Sequence, residues 1–164
     1  TDTFGTHKTL ATVRGPNGLV LMFICNHCPY VKAIVNRICS TAVELQSMGI
    51  GVAAIMSNDP HAYPEDSFAN MQKLAKSQQF SFPYLYDSTQ HVARAYGAVC
   101  TPDFYGFNSE LELQYRGRLD SSGIAPASPE AKRELMDAMR LIAATGNGPV
   151  EQVASIGCSI KWRD

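Results

Sequence analysis

An unbroken apolar run, Leu19 to Ile24, ends directly in Cys25-Asn26-His27-Cys28-Pro29, and this junction constrains the fold more than any other stretch of the chain. Bounded on its other side by Gly15-Pro16-Asn17-Gly18, the run reads as a strand buried on both faces. From Pro29 to Met48, apolar residues fall at Val31, Ile34, Val35, Ile38, Ala42 and Leu45, the spacing of one helical face. Pro29 suits a first helical turn and Gly49 a stop. The same alternation continues. Ile50 to Met56 predicts a second buried strand, and about Glu65 to Gln78 a helix carrying Phe68, Met71, Leu74 and Ala75 inward. Phe82 to Tyr86 predicts a short strand, and Asp87-Ser88-Thr89-Gln90 a capping box opening a helix that ends near Gly97. Asp103 to Phe107 and Leu111 to Tyr115 predict a hairpin through Asn108-Ser109-Glu110. Ser128-Pro129-Glu130 starts a last helix with Leu135, Met139 and Ile142 on one stripe and Gly146 beyond its end. Such an order predicts an α/β fold, a mixed central sheet flanked by helices with antiparallel strands at one edge.

With 164 residues the chain has room for one domain, flanked by an N-terminal extension (1–17) and a C-terminal tail (147–164). Lys+Arg 14 against Asp+Glu 15 gives a net charge of -1, which disfavours nucleic acid and anionic membranes as partners. The best apolar window, Gly18 to Cys25, falls far short of the roughly 18 residues a membrane helix needs. A soluble protein is expected. No leader is visible at Thr1-Asp2-Thr3-Phe4, so the compartment is open, with the cytoplasm favoured. The 5 cysteines are too few for a disulfide scaffold, and their odd number leaves at least one unpaired within the chain.

Chemistry concentrates at Cys25-Asn26-His27-Cys28. A Cys-x-x-Cys that closes a buried strand and opens a helix places Cys25 at or just before the helix N-terminus, where unpaired N–H groups and the helix dipole favour a thiolate. Cys25 is then the attacking nucleophile, and Cys28, one turn inward, resolves the mixed disulfide. His27 beside the pair adds a stabiliser of the thiolate and pushes the couple toward oxidising behaviour. The same spacing also serves half of a zinc site. A structural zinc site needs two more ligands, however, and His7, His61, His91, Cys100 and Cys158 are scattered singly.

A second signal is Val99-Cys100-Thr101-Pro102-Asp103, just before the hairpin. Taken with the first, it makes the whole chain resemble the thioredoxin superfamily. More narrowly, Cys-Asn-His-Cys-Pro-Tyr-Val, Ser-Asn-Asp-Pro followed by Tyr-Pro-Glu-Asp-Ser, Cys-Thr-Pro-Asp-Phe and the terminal Ser-Ile-Gly-Cys-Ser-Ile-Lys-Trp resemble a peroxiredoxin-like (AhpC/TSA-related) thioredoxin-fold group, over about Phe4 to Trp162. The resemblance implies a thioredoxin fold with a helix-strand insertion between Asp59 and Tyr86. It also implies a Thr101-cis-Pro102 dipeptide whose backbone pairs with an extended substrate. Departures matter too. Where peroxiredoxins carry Pro-x-x-x-Thr-x-x-Cys, with Cys28 at the peroxidatic position, this chain has Leu21 for the Pro and Cys25 for the Thr, and no arginine stands near Thr101-Pro102. The donors that stabilise charge on a departing peroxide oxygen are therefore missing from their usual places. Thioredoxins bury an Asp where this chain has Leu19, and place a Trp where it has Ile24. The Asn26-His27 dipeptide is closer to that of disulfide-donating relatives.

The expected function is that of a thiol-disulfide oxidoreductase using a Cys25/Cys28 couple, tuned by His27 and Asn26, with Cys100, Thr101 and Pro102 as the substrate-binding loop. No cofactor beyond that disulfide and no metal are expected. The partners are a disulfide- or thiol-containing protein or small molecule and a separate redox partner. A thiol peroxidase and a carrier holding a soft metal ion on Cys25 and Cys28 are the alternatives. Cys39 reads as a buried structural thiol. Cys158 is a candidate auxiliary thiol in a tail that either packs at an edge or folds back over the couple. Asp59, Glu65 and Asp66 read as loop and helix-start residues.

Overall fold

The computed structural model describes residues 1–164. The apolar run forms β1 (Gly18–Phe23), at the centre of a five-stranded sheet. On one side β1 pairs in parallel with β2 (Ile50–Met56), and β2 with β3 (Tyr84–Tyr86). Past a two-residue strand β4 (Cys100–Thr101), β5 (Asp103–Phe107) runs antiparallel to β1 on its other side, and β6 (Leu113–Gly117) closes that edge. The helices are α1 (Leu10–Val13), α2 (Pro29–Ser47), α3 (Phe68–Ser77), α4 (His91–Tyr96) and α5 (Glu134–Thr145). A last short strand, β7 (Cys158–Ser159), pairs with β4.

Alternation along β1 explains why it had to be apolar throughout. Val20 and Met22 enter one core with Ile34, Ile38 and Leu45 of α2 and Met139 and Ile142 of α5. Leu19, Leu21 and Phe23 enter the other, with Ala93 of α4 and Tyr105 and Phe107 of β5. The helix α5 approaches the sheet so closely at Gly106 that a Cβ there would come within 2.5 Å of Met139 Sδ. This is the mixed sheet with helices on both faces that the sequence predicts. No helix is long and apolar enough to cross a membrane.

The differences lie at element ends. The helix predicted over Glu65 to Gln78 divides into a 3₁₀ turn (Pro64–Asp66) and α3, because Ser67 is extended and its Oγ caps Asn70 N–H at 3.2 Å. That break turns Asp66 inward. The Asp87 to Gln90 segment is not a capping box: Asp87 accepts from Val92 N–H at 3.2 Å and Ala93 N–H at 3.0 Å, while Gln90 has φ 61 and sends its amide to Ser57 and Lys161 carbonyls. The hairpin loop runs on to Glu112, because Asn108 Oδ1 accepts from both Glu110 and Glu112 N–H groups. The last helix starts at Glu134 rather than at Ser128.

Candidate active site

The Cys-x-x-Cys crosses from the end of β1 to the start of α2. Cys28 is the N-cap and Pro29 the first helical residue. Proline fixes the helix start, since it has no N–H to lose at that position, and this leaves Cys25 in the turn before the helix. Cys25 thus lies just before the helix, within the expected placement, while Cys28, expected one turn inward, is itself the N-cap. Both sulfurs converge on Thr101. Cys25 Sγ lies 3.6 Å from Thr101 Oγ1, and Cys28 Sγ lies 3.4 Å from the Thr101 carbonyl oxygen. The Thr101–Pro102 peptide bond is cis.

Acidity follows position. The neighbouring Cys25 and Cys158 thiols, the Val31 N–H of the first helical turn and the Thr101 hydroxyl favour the charged Cys28 sulfur and outweigh burial to hold it far below the usual thiol range, at about 4. The Thr101 carbonyl contact favours the thiol form and opposes them. Cys25 goes the other way, above the usual range, because it donates to Cys28, is buried, and faces the charge of Asp66. The surroundings thus favour the thiolate on Cys28, at the N-cap, where the sequence alone points to Cys25.

Sequence reasoning missed Asp66. Its residue is 0% exposed, and its carboxylate accepts from Asn26 N–H at 2.8 Å and Asn58 Nδ2 at 2.9 Å, the donors a buried carboxylate requires. His27 Nδ1 stands 2.6 Å from Asp66 Oδ2, a close contact outside hydrogen-bond alignment, and the His27 ring stacks on Tyr63. Asn26 docks the same way: its Nδ2 reaches the Glu65 carbonyl at 3.1 Å and its Oδ1 accepts from Tyr84 Oη at 2.8 Å. The Asn26-His27 dipeptide therefore fastens the Cys-x-x-Cys turn to the 3₁₀ turn. The 3₁₀ turn places the buried Asp66 carboxylate beside them. Ser67, a capping residue inside an apparent helix, was the signal that could have revealed it. Asp59 is an ion-pair residue, 3.2 Å from Arg163, and Glu65 serves through its backbone.

The other thiols separate. Cys39 is half-buried, with its Sγ 3.7 Å from the Gln78 carbonyl, so it is less enclosed than expected. Cys100, adjacent to Thr101, is pushed up to about 11 by burial and by Asp103. Cys158 reaches the couple, because the tail folds back and β7 places it opposite Thr101. Beside Pro102, Tyr30, Ile34, Phe104 and Leu119 line a largely apolar cleft of about 260 Å³. Arg118 also borders it, with its guanidinium Nε 2.9 Å from Glu134. The donors able to meet on one metal ion are Cys25, His27 and Asp66, whose ligand atoms lie within 4.8 Å of one another. They are not the Cys25 and Cys28 pair that a soft-ion carrier was expected to use.

The AhpC/TSA family model matches residues 1–119. An uncharacterized conserved protein from Geobacillus kaustophilus is 42% identical, with a TM-score of 0.91 over 99% of this chain and 87% of its own. A hypothetical protein from Sinorhizobium meliloti 1021 is 36% identical, with a TM-score of 0.92 over 99% and 88%. A secreted Mycobacterium tuberculosis disulfide oxidoreductase homologous to E. coli DsbE shares the fold at 16% identity, with a TM-score of 0.62 over 88% of this chain and 92% of its own. No curated protein matches. With a family match across most of its length, and with the strand, dithiol turn and helix in the arrangement just described, the chain belongs to the AhpC/TSA family.

Proposed function

We propose that this protein is a thiol-disulfide oxidoreductase whose working unit is the Cys25/Cys28 couple, exchanging with protein or small-molecule disulfides. The observation that carries this reading is the convergence of both sulfurs on Thr101, with Cys28 at the N-cap of α2. In the reducing direction the Cys28 thiolate attacks one sulfur of a substrate disulfide and releases a substrate thiolate. Cys25 gives its proton toward Asp66, attacks the Cys28 sulfur, closes Cys25–Cys28 and expels the second substrate sulfur, which takes up the proton. One substrate thiol, one substrate thiolate that takes its proton from water, and one protein disulfide result. The loop Cys100-Thr101-Pro102 borders the reacting sulfurs and the apolar cleft.

A stabilised Cys28 thiolate favours the reduced form, so the couple is oxidising. In a glutathione redox titration its potential is expected above the roughly −270 mV of thioredoxin; a value at or below that figure refutes the oxidising assignment. The family match and the acidic Cys28 favour thiol peroxidase activity as a second reading. Stopped-flow oxidation by hydrogen peroxide separates the two: reaction no faster than that of a free thiol excludes the peroxidase, and a rate orders of magnitude faster establishes it.

A further inference from the structure

Neither sulfur of the couple meets solvent, with Cys25 1% and Cys28 0% exposed. Residues 157–161 lie over them. Thr101 pairs with Cys158 and Cys100 with Ser159 across the antiparallel β4–β7 contact. Gly157 rests so closely on the loop that a Cβ there would overlap the Thr101 carbonyl oxygen. Ile160 N–H bonds the Val99 carbonyl at 2.9 Å, and Lys161 N–H bonds Asn58 Oδ1 at 2.9 Å. The Lys161 carbonyl accepts from Asp59 N–H at 2.9 Å and from Gln90 Nε2 at 2.9 Å. This anchoring fixes where Cys158 points. Residues directly opposite in an antiparallel pair present their side chains to the same face, and Thr101 Oγ1 faces Cys25. Cys158 is thus delivered toward the buried couple. It is half-buried, whereas Cys25 and Cys28 are enclosed.

We propose that Cys158 is the exchange thiol of this protein, carrying disulfide equivalents between the enclosed Cys25/Cys28 couple and an outside thiol through an internal Cys28–Cys158 disulfide. This rests on the Cys25/Cys28 reading above. In the donating direction the Cys158 thiolate attacks Cys28 of the Cys25–Cys28 disulfide. The Cys28–Cys158 bond forms, the Cys25–Cys28 bond breaks, and Cys25 leaves as a thiolate that takes up the proton Cys158 lost. An outside thiolate then attacks the Cys158 sulfur and expels Cys28 as its favoured thiolate. A second outside thiolate attacks the mixed disulfide on Cys158 and restores the Cys158 thiol. Two outside thiols become one disulfide, and the couple is reduced by two electrons. The reverse sequence reduces an outside disulfide.

The order of steps has a physical basis. Burial raises the Cys158 thiol, and while Cys28 is a thiolate its neighbouring charge raises it further. Once Cys28 enters a disulfide that charge is gone, and Lys161 still favours the Cys158 thiolate. Cys158 is released to react when the couple holds equivalents to pass on.

The test uses the full chain. Cys25→Ser treated with oxidised glutathione, quenched in acid and mapped without reduction is expected to hold an internal Cys28–Cys158 disulfide and to release two glutathiones per chain. Glutathione retained on Cys28 without an internal bond, or a bond between chains, overturns the proposal. Cys158→Ser is expected to retain the Cys25–Cys28 disulfide while its exchange with reduced glutathione slows at least about tenfold, as loss of an intramolecular step requires. Exchange at the wild-type rate with the couple still forming refutes the Cys158 role alone. Failure of the wild-type chain to form Cys25–Cys28 at all refutes the couple on which it rests. Gly157→Ala, which lifts the tail, is expected to raise direct glutathionylation of Cys28 with Cys158 present; unchanged labelling of Cys28 means that the tail does not cover it.

Discussion

Cys28→Ser is expected to abolish thiol-disulfide turnover, by at least about a thousandfold, because it removes the sulfur that its polar neighbours and a helix terminus favour as a thiolate. Cys25→Ser also stops the cycle, but later, with Cys28 held in a disulfide with Cys158. The two variants separate most clearly in a pH titration of thiolate ultraviolet absorbance, which reads a buried sulfur without needing a reagent to reach it. Wild-type protein at neutral pH should carry one thiolate and lose it as the pH falls through about 4. The sign follows from a lowered pKa: the charged form persists above the transition and is protonated below it. Cys28→Ser should lack this acid transition altogether. In Cys25→Ser a hydroxyl still donates to the Cys28 sulfur, so the transition should persist, shifted upward because the donor is weaker. An acid transition that survives Cys28→Ser and disappears in Cys25→Ser would reverse the assigned order of the two thiols.

Asp66→Ala and Asp66→Asn should differ in kind. Alanine leaves the Asn26 N–H and the Asn58 amide without their buried acceptor and opens a space beside His27. The loss should be roughly 3–5 kcal/mol in urea unfolding, as when one member of a buried pair is removed. Asparagine keeps the shape and one acceptor oxygen, so its stability cost is smaller and its chemistry can be read. Without the negative charge, one cause that raises Cys25 disappears, and the Cys25 thiol becomes more acidic. The proton acceptor disappears with it. The step in which Cys25 closes the internal disulfide should slow by about 10²–10⁴, the usual worth of a positioned base, and the Cys28–Cys158 disulfide should accumulate in acid-quenched samples. The Cys28 acid transition should stay near its wild-type position. Asp66→Asn with unchanged closure kinetics would reduce Asp66 to a structural carboxylate.

What could be read from the chain depended on whether a physical rule acted locally. The β1–α2 junction was legible because burial on both faces and helical spacing each leave a pattern within a few residues, and Thr101-Pro102 was legible through resemblance. Asp66 was not, because the apparent helical period ran through Ser67 and hid the break that turns the carboxylate inward. The place of Cys28 at the helix start was missed for a related reason. A Cys-x-x-Cys does not say which cysteine begins the helix; Pro29 does, and reading it as a first-turn residue should have given Cys28 the N-cap. The role of Asn26 and His27 in fastening one turn to another needed a partner distant in sequence. The return of Cys158 to Thr101 carries no periodic signal, since the tail is held by backbone bonds to loops rather than by an apolar stripe.

The cover over the couple is made after the parts of the chain that build the couple. Cys25 and Cys28 are placed by β1 and α2, and Thr101 joins them well before residues 157–161 are synthesised. On a nascent chain the dithiol is thus assembled while its lid is still inside the exit tunnel. During that interval the acidic sulfur stands open to any passing oxidant or electrophile, and damage to it should concentrate in stalled or truncated chains rather than in finished ones.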